Sequence, residues 1–532
     1  MFEPSRIART RTSRRDFLQK LCAAPLASIP DSKLFKALTF SRDDDLTARL
    51  AADPLRPQFH LLPAKNWMND PNGPIFWKGM YHMFFQYNPN AAVWGDMHWA
   101  HAISPDMIRW KHLPVALAPT PGSADADGCF TGSAVDDRGT ATILYTGVKA
   151  AAPQFATLRD GTHNFREVQC LATSSDPQLR TWTKWKTPVI EPPSDPLLTG
   201  FRDPFLWRDR DVWYLGVASG VRKQGGQVLL YRSRDLRQWE YLHPLASGHW
   251  TEKENFNPVD SGEMWECPDF FPLGSKHVLL YSTAGKVLWE TGELDSKELL
   301  FHPQRTGVLD HGAYYAQKTQ LDAESNRILW GWIPETRPEA EFSTAGWAGC
   351  MALPRRLSLN AQNELEMRVD PQAQSLRGKK LIDLAPLALR EQRTAAINAV
   401  QIYDLAGELR WRTAPELFSL MLADAAGPWW SIKILPSASR VSLQVNGSSI
   451  DLAMPETREM TFHLLLDASV AEFFCNDRHV LTSRIYRRPA GPLSVHLIDP
   501  DLSVLRGFEA WQLHPISPDR LTSYCLTTTL SS

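Results

Sequence analysis

An acid, a proline and an aromatic-rich run recur along this chain, and no other feature limits its fold as much. The copies are Asp70-Pro71-Asn72-Gly73-Pro74-Ile75-Phe76-Trp77, Asp203-Pro204-Phe205-Leu206-Trp207 and Glu266-Cys267-Pro268-Asp269-Phe270-Phe271. A second repeat interleaves: Ser104-Pro105-Asp106 before Trp110, Ser174-Ser175-Asp176 before Trp182, and Ser233-Arg234-Asp235 before Trp239. The two together define a unit of about 63–67 residues, and such a period marks units that bury their cores against one another. Each unit holds short aromatic or β-branched runs bounded by Gly, Pro, Asn or Asp, such as Tyr81–Tyr87, Ala141–Tyr145, Val212–Val217, Val278–Ser282 and Ile328–Trp332. These read as strands, and no long helical period interrupts them. Several short strands per unit predict propeller blades, and the roughly 310 residues from Phe59 to Arg368 predict five.

Equivalent positions of a propeller face one axis. The three acids are therefore expected to open equivalent inner strands and converge at one mouth of the channel. The proline after Asp70 and Asp203 favours extended backbone at the acid and removes a ladder donor after it. Asp106, Asp176 and Asp235 recur between units and read as structural turn residues.

The predicted fold class is all-β: a five-bladed β-propeller over residues 51–368, a polar linker over 369–382, and a C-terminal β-sandwich over 383–532. Strand runs including Val400–Tyr403, Leu417–Leu422, Trp429–Leu435, Val441–Val445, Thr461–Leu466, Ala471–Cys475, Val480–Ile485 and Leu493–Leu497 carry the sandwich. It has no obvious acid constellation, so support or substrate contact is expected of it. Residues 1–50 read as a leader: Ser13-Arg14-Arg15-Asp16-Phe17-Leu18 resembles the twin-arginine export consensus of bacteria. A functional signal implies a periplasmic or extracellular protein, and otherwise a cytoplasmic one.

Composition removes other classes. Lys and Arg number 57 against 59 Asp and Glu, with no basic block after the first 20 residues, which argues against a nucleic-acid partner. No run of about 18 uncharged apolar residues exists, so no membrane-spanning helix is expected. The seven cysteines form no CxxC pair and read mostly as buried free thiols. His98 and His101 lack a third ligand, so no metal and no cofactor is expected.

Two carboxylates facing one cleft are what glycoside hydrolysis requires, one ionised and one holding its proton near neutral pH. Here the residues carry a resemblance. Asn66-Trp67-Met68-Asn69-Asp70-Pro71-Asn72-Gly73, Phe201-Arg202-Asp203-Pro204 and Met264-Trp265-Glu266-Cys267-Pro268 resemble, in order, the three acid motifs of glycoside hydrolase family 32. Side motifs agree: Phe84-Phe85-Gln86, Val93-Trp94-Gly95, Phe130-Thr131-Gly132-Ser133, Gly346-Trp347-Ala348-Gly349, and in the sandwich Leu464 to Asp467 with Glu472-Phe473-Phe474. The Gly expected after Met97-His98-Trp99 is Ala100 here, a departure that leaves the acids intact.

The resemblance implies a retaining β-fructosidase acting on terminal fructose of sucrose, levan or inulin. It makes Asp70 the nucleophile, Glu266 the general acid and then base, and Asp203 the residue that holds fructose hydroxyls and stabilises the oxocarbenium-like transition state. It places Trp67, Asn69, Gln86, Trp94, Phe130, Thr131, Arg202 and Trp347 against the sugar. From the residues alone, Glu266 between Trp265 and Cys267 is expected in a dry place that raises its pKa, and Asp269 is an alternative acid. The same motifs allow fructosyl transfer to a sugar. They also allow a non-catalytic fructan-binding protein, whose mark would be a lost acid. The partner is a small or polymeric fructose-containing carbohydrate, and the sandwich offers a surface for a homodimer that no sequence feature requires.

Overall fold

The computed structural model describes residues 45–252, 255–384, 394–397, 402–410, 418–498 and 505–517. The twin-arginine-like segment, Cys22 and Cys525 lie outside the described residues. Five sheets precede the sandwich, antiparallel except where Trp347–Ala348 pairs in parallel with the first, and their first strands are Asn66–Trp77, Gly128–Asp137, Leu198–Asp209, Glu266–Leu273 and Tyr315–Leu321. Each of these strands neighbours the next, and the fifth neighbours the first, so the sheets close into a ring around the inner strands as a β-propeller. Aromatic and β-branched residues fill the wedges between sheets. Phe84 and Trp99 of the first sheet pack with Ile143 and Tyr145 of the second. The ring closes where Trp110 meets Trp330 edge-on, centroids 5.6 Å apart.

The Ser-x-Asp repeat is the same turn three times. Asp106 accepts from the amides of Ile108 and Arg109, Asp176 from Gln178 and Arg180, and Asp235 from Arg237 and Gln238. Trp110, Trp182 and Trp239 each donate Nε1 to the carbonyl of the left-handed residue three before it. Carboxylates bonding nearby amides in this way fix a turn without tertiary help.

The inner strands share an irregularity. Their ladders skip two residues between Met68 and Pro71, Cys129 and Gly132, Arg202 and Phe205, Glu266 and Asp269, and Tyr315 and Lys318. Asp203, Cys267 and Ala316, the first skipped residues of the last three strands, all take positive φ (57°, 48° and 55°). A proline costs no ladder bond at a skipped position, as at Pro204 and Pro268. Aligned on this bulge, the three acids are not equivalent, contrary to the sequence expectation. Glu266 precedes the skipped pair, Asp203 is its first member and Asp70 its second.

Two six-stranded sheets form the sandwich around Leu405, Leu420, Ile432, Leu464 and Phe473. The expected linker 369–382 is not one. Asp370 caps a 3-10 turn at Pro371–Leu376, and Arg377–Leu384 pairs with Leu505–Leu513 as the edge strand of a sandwich sheet. A strand paired on one side only carries the polar composition that reads as a linker.

A buried charge network ties the sandwich to the propeller. Asp467 accepts from the amides of Gln58, Phe59 and His60 at 2.6, 2.8 and 3.0 Å. His60 Nδ1 lies 2.8 Å from Asp467 and Nε2 lies 3.0 Å from Glu472. Glu472 also pairs with Arg355 at 2.7 Å, and Arg355 with Asp310 at 2.9 Å, and the side chains of all five residues are fully buried. A ring held between two carboxylates must donate from both nitrogens and is therefore an imidazolium. Burial opposes that charge, but Asp467 and Glu472 outweigh it and raise His60 to about 9. The stabilisation is complete below about pH 6.5 and lost as the pH rises through about 9. His60→Gln should cost about 3–5 kcal/mol by leaving buried carboxylates short of charge. Thermal melts from pH 6 to 10 should show the wild-type midpoint falling towards that of the variant.

Candidate active site

The bulges bring the acids and their partners to one mouth of the ring in three tiers. Skipped residues have no partner in the register of their own sheets, and their side chains and amides meet across the axis instead. In the tier before the skip stand Arg202, Glu266 and Tyr315, on consecutive strands. Arg202 Nη1 donates to Glu266 Oε1 at 3.0 Å, and the Tyr315 hydroxyl donates to Oε2 at 2.9 Å. In the first skipped tier the Cys267 amide donates to Asp203 Oδ2 at 2.9 Å. In the second, Thr131 Oγ1 donates to Asp70 Oδ2 at 2.6 Å.

Asp70 is further held by Asn69 Nδ2 at 2.9 Å and Gln86 Nε2 at 3.3 Å. The Cys267 thiol links two tiers, its sulfur 3.5 Å from both Asp70 Oδ2 and Asp203 Oδ2. Burial and the adjacent carboxylates push this thiol well above the usual range, so it stays a neutral donor. Arg202 is anchored from behind by Glu167 at 2.6 Å, and its guanidinium lies over the Phe130 ring. Thr157 and the Phe201 amide in turn hold Glu167. Trp67 donates to Asn69 Oδ1 at 2.7 Å. Trp94, 41% exposed, stands edge-on to Phe130 at the rim.

The environments of the acids differ. Burial raises Glu266 to about 7, with Asp203 and Asp70 adding to the rise and Arg202 and Tyr315 opposing it. Burial also raises Asp203, against the pull of Arg202. Asp70, half-buried, accepts hydrogen bonds from Asn69, Thr131 and Gln86. The site thus offers one buried carboxyl that keeps its proton near neutral pH beside a half-buried one ringed by hydrogen-bond donors.

Of the residues singled out in the sequence, Asp70, Asp203, Glu266, Trp67, Asn69, Gln86, Trp94, Phe130, Thr131 and Arg202 meet here. Trp347 does not. Its side chain is fully buried, donates to Asp53, and is surrounded by Arg56, Arg337 and Arg484. Trp332, beside Trp67 at 5.8 Å, joins Trp67 and Trp94 there as a third tryptophan. Asp269 falls on the far side of the bulge, accepts from the Thr319 amide and lines a separate cavity with Lys318 and Arg327. Tyr315, Glu167 and Trp332 were not legible in the sequence. Tyr315 belongs to a fifth unit with neither acid nor proline, so the repeat carries no mark there.

Tyr315→Phe removes a bond to the charged form of Glu266. It should move the basic limb of the pH–rate profile upward from about 7, and an unchanged limb would show that Tyr315 does not tune this acid.

Residues 60–370 match the profile described as Glycosyl hydrolases family 32 N-terminal domain, and residues 432–508 match Glycosyl hydrolases family 32 C terminal. A sucrose-6-phosphate hydrolase of Escherichia coli is 34% identical over 490 residues, 86% of this chain and 94% of that one. A raffinose invertase of the same organism is 34% identical over 488 residues, 86% and 95% of the two chains. Among solved structures, a Bombyx mori GH32 β-fructofuranosidase superposes with a TM-score of 0.72 at 29% identity, covering 91% of this chain and 99% of that one.

Proposed function

The chain belongs to glycoside hydrolase family 32 and is a β-fructosidase, and we propose that it cleaves terminal β-fructofuranosyl bonds by double displacement. Asp70 attacks the anomeric carbon while Glu266 protonates the departing oxygen. Glu266, now ionised, then takes a proton from the water that releases fructose. Asp203, next to both, holds sugar hydroxyls and offsets the positive charge that develops on the ring. The observation that carries this reading is the contrast between the two acids: Glu266 is buried and raised to about 7, whereas Asp70 is half-buried and accepts from three donors. Arg202 keeps Glu266 from rising further and readies it to act as a base in the second step.

The leaving group must stand beside Glu266. A cavity of about 420 Å³ lies there, lined by Asn257, Asp260, Tyr315 and Thr336. None of its described lining residues is basic, and Asp260 disfavours an anion, so a neutral sugar is the preferred leaving group. That supports sucrose or the penultimate unit of a fructan. A second reading, a phosphorylated leaving group, draws on a cavity of about 670 Å³ on the other side of the 255–260 segment, where Arg159, Arg222 and Lys223 converge.

Product time courses on sucrose, inulin, levan and sucrose 6-phosphate separate these. Neutral substrates turning over with the higher kcat/KM fits the first reading, and a preference for the phosphate fits the second. Glucose in excess of fructose, with longer oligomers, would mean transfer rather than hydrolysis. Asp70→Asn should leave less than about a thousandth of the rate. Near wild-type turnover in that variant would remove the nucleophile assignment.

A further inference from the structure

The Gly346-Trp347-Ala348-Gly349 segment has no place in the sugar site, yet it lies against the strand that carries the nucleophile. Trp347–Ala348 pairs in parallel with Asn66 and Trp67, and the Asn66 amide donates to Gly346 O at 2.8 Å. The segment leaves the short helix Glu339–Ala345 through Gly346 at φ 80°. At Gly349, φ 77°, an added Cβ would stand 2.2 Å from Met68 O, so the two backbones are in direct contact. Asn66 itself takes φ 70°, a conformation uncommon for a residue with a side chain, and needs such outside support. From Trp67 a polar chain runs to the reacting atom: Trp67 Nε1 donates to Asn69, and Asn69 Nδ2 donates to Asp70 Oδ1.

The other face of Trp347 belongs to the sandwich. Arg484, at the end of the sandwich strand His479–Arg484, lies over the Trp347 ring at 5.6 Å with its side chain 1% exposed. Its guanidinium donates to Tyr486 at 2.8 Å and Cys350 at 3.2 Å and pairs with Glu335 at 3.4 Å. Arg337 pairs with the same Glu335 at 2.7 Å, lies over the same ring at 4.8 Å and donates to Trp347 O at 3.3 Å. A guanidinium that is buried, paired and stacked has little freedom, so it fixes the indole as a rigid support.

We propose that the sandwich positions the nucleophile: Arg484 and Trp347 are positioning residues that hold the Asn66–Asp70 segment where Asp70 can attack. This rests on the reading of Asp70 as nucleophile. The sandwich is then part of the catalytic apparatus without touching the sugar.

The test uses the full chain and an aryl β-fructoside with a good leaving group, so that the rate reports attack rather than protonation. The variants are Arg484→Met, Arg484→Lys, Trp347→Phe and the Arg484→Met/Trp347→Phe double. Each single variant should lower kcat about 10- to 100-fold, the scale of a misplaced reacting group, with KM changed by less than about threefold. The loss should be the same on sucrose, and the pH profile should keep its basic limb, because Glu266 is untouched. The double variant should lose no more than the worse single, because both act through one support. Melting curves and near-ultraviolet dichroism establish that each variant is folded. If Arg484→Met does not fold, Arg484→Lys, which keeps the charge but not the flat stack, and Trp347→Phe decide. Folded variants with full kcat and only lower melting temperatures would overturn the proposal, as would losses that multiply in the double. Loss of activity in Asp70→Asn alongside full kcat in these variants would refute the positioning role alone. Activity retained in Asp70→Asn would instead refute the nucleophile.

Discussion

The catalytic mouth depends on one backbone constraint, the two-residue skip that every inner strand makes at the same height. A regular ladder would alternate side chains between the two faces of each sheet and use its amides within the sheet. The skip releases two residues per strand and turns them towards the axis. Because Glu266, Asp203 and Asp70 stand at successive positions of that skip, three acids on three sheets reach one space without occupying the same tier. Each tier then bonds around the ring: Arg202 to Glu266 to Tyr315, Cys267 to Asp203, Thr131 to Asp70.

The same geometry sets the charges. Carboxylates this close would repel and rise together if nothing distinguished them. Here the guanidinium is shared between Glu167 behind and Glu266 in front, while the hydroxyl and amide donors converge on Asp70. Glu266 is left with burial as its dominant influence and keeps its proton near neutral pH. The division of labour comes from which tier each acid occupies rather than from acid type. The sandwich completes the arrangement from outside, through the His60, Glu472 and Arg355 network at one place and the Arg484–Trp347 stack at another.

Much of this was legible in the sequence. The acid–proline repeat exposed the three acids and the ring architecture, because it marks the bulged stretch of three of the inner strands. Part of the offset was visible too: Glu266 is separated from Pro268 by Cys267, whereas Asp203 abuts Pro204. Nothing marks Pro71 as lying one step further along than Pro204, so the full stagger emerges only from pairing. Tyr315 and Trp332 come from a unit without the motif. Trp347 stands away from the sugar site because Arg56, Arg337 and Arg484 enclose it, the last of them distant in sequence and in another domain. The Arg377–Leu384 strand was misread because an edge strand with one solvent face looks like a linker.

The central claim is that Asp70 attacks the sugar and Glu266 serves as acid and then base. Proton NMR of the first-formed product, recorded before mutarotation, tests it most directly. Double displacement predicts that fructose is released first as the β-furanose, with the α anomer appearing only afterwards. Release of the α anomer first would mean direct attack by water, and would contradict the role assigned to Asp70.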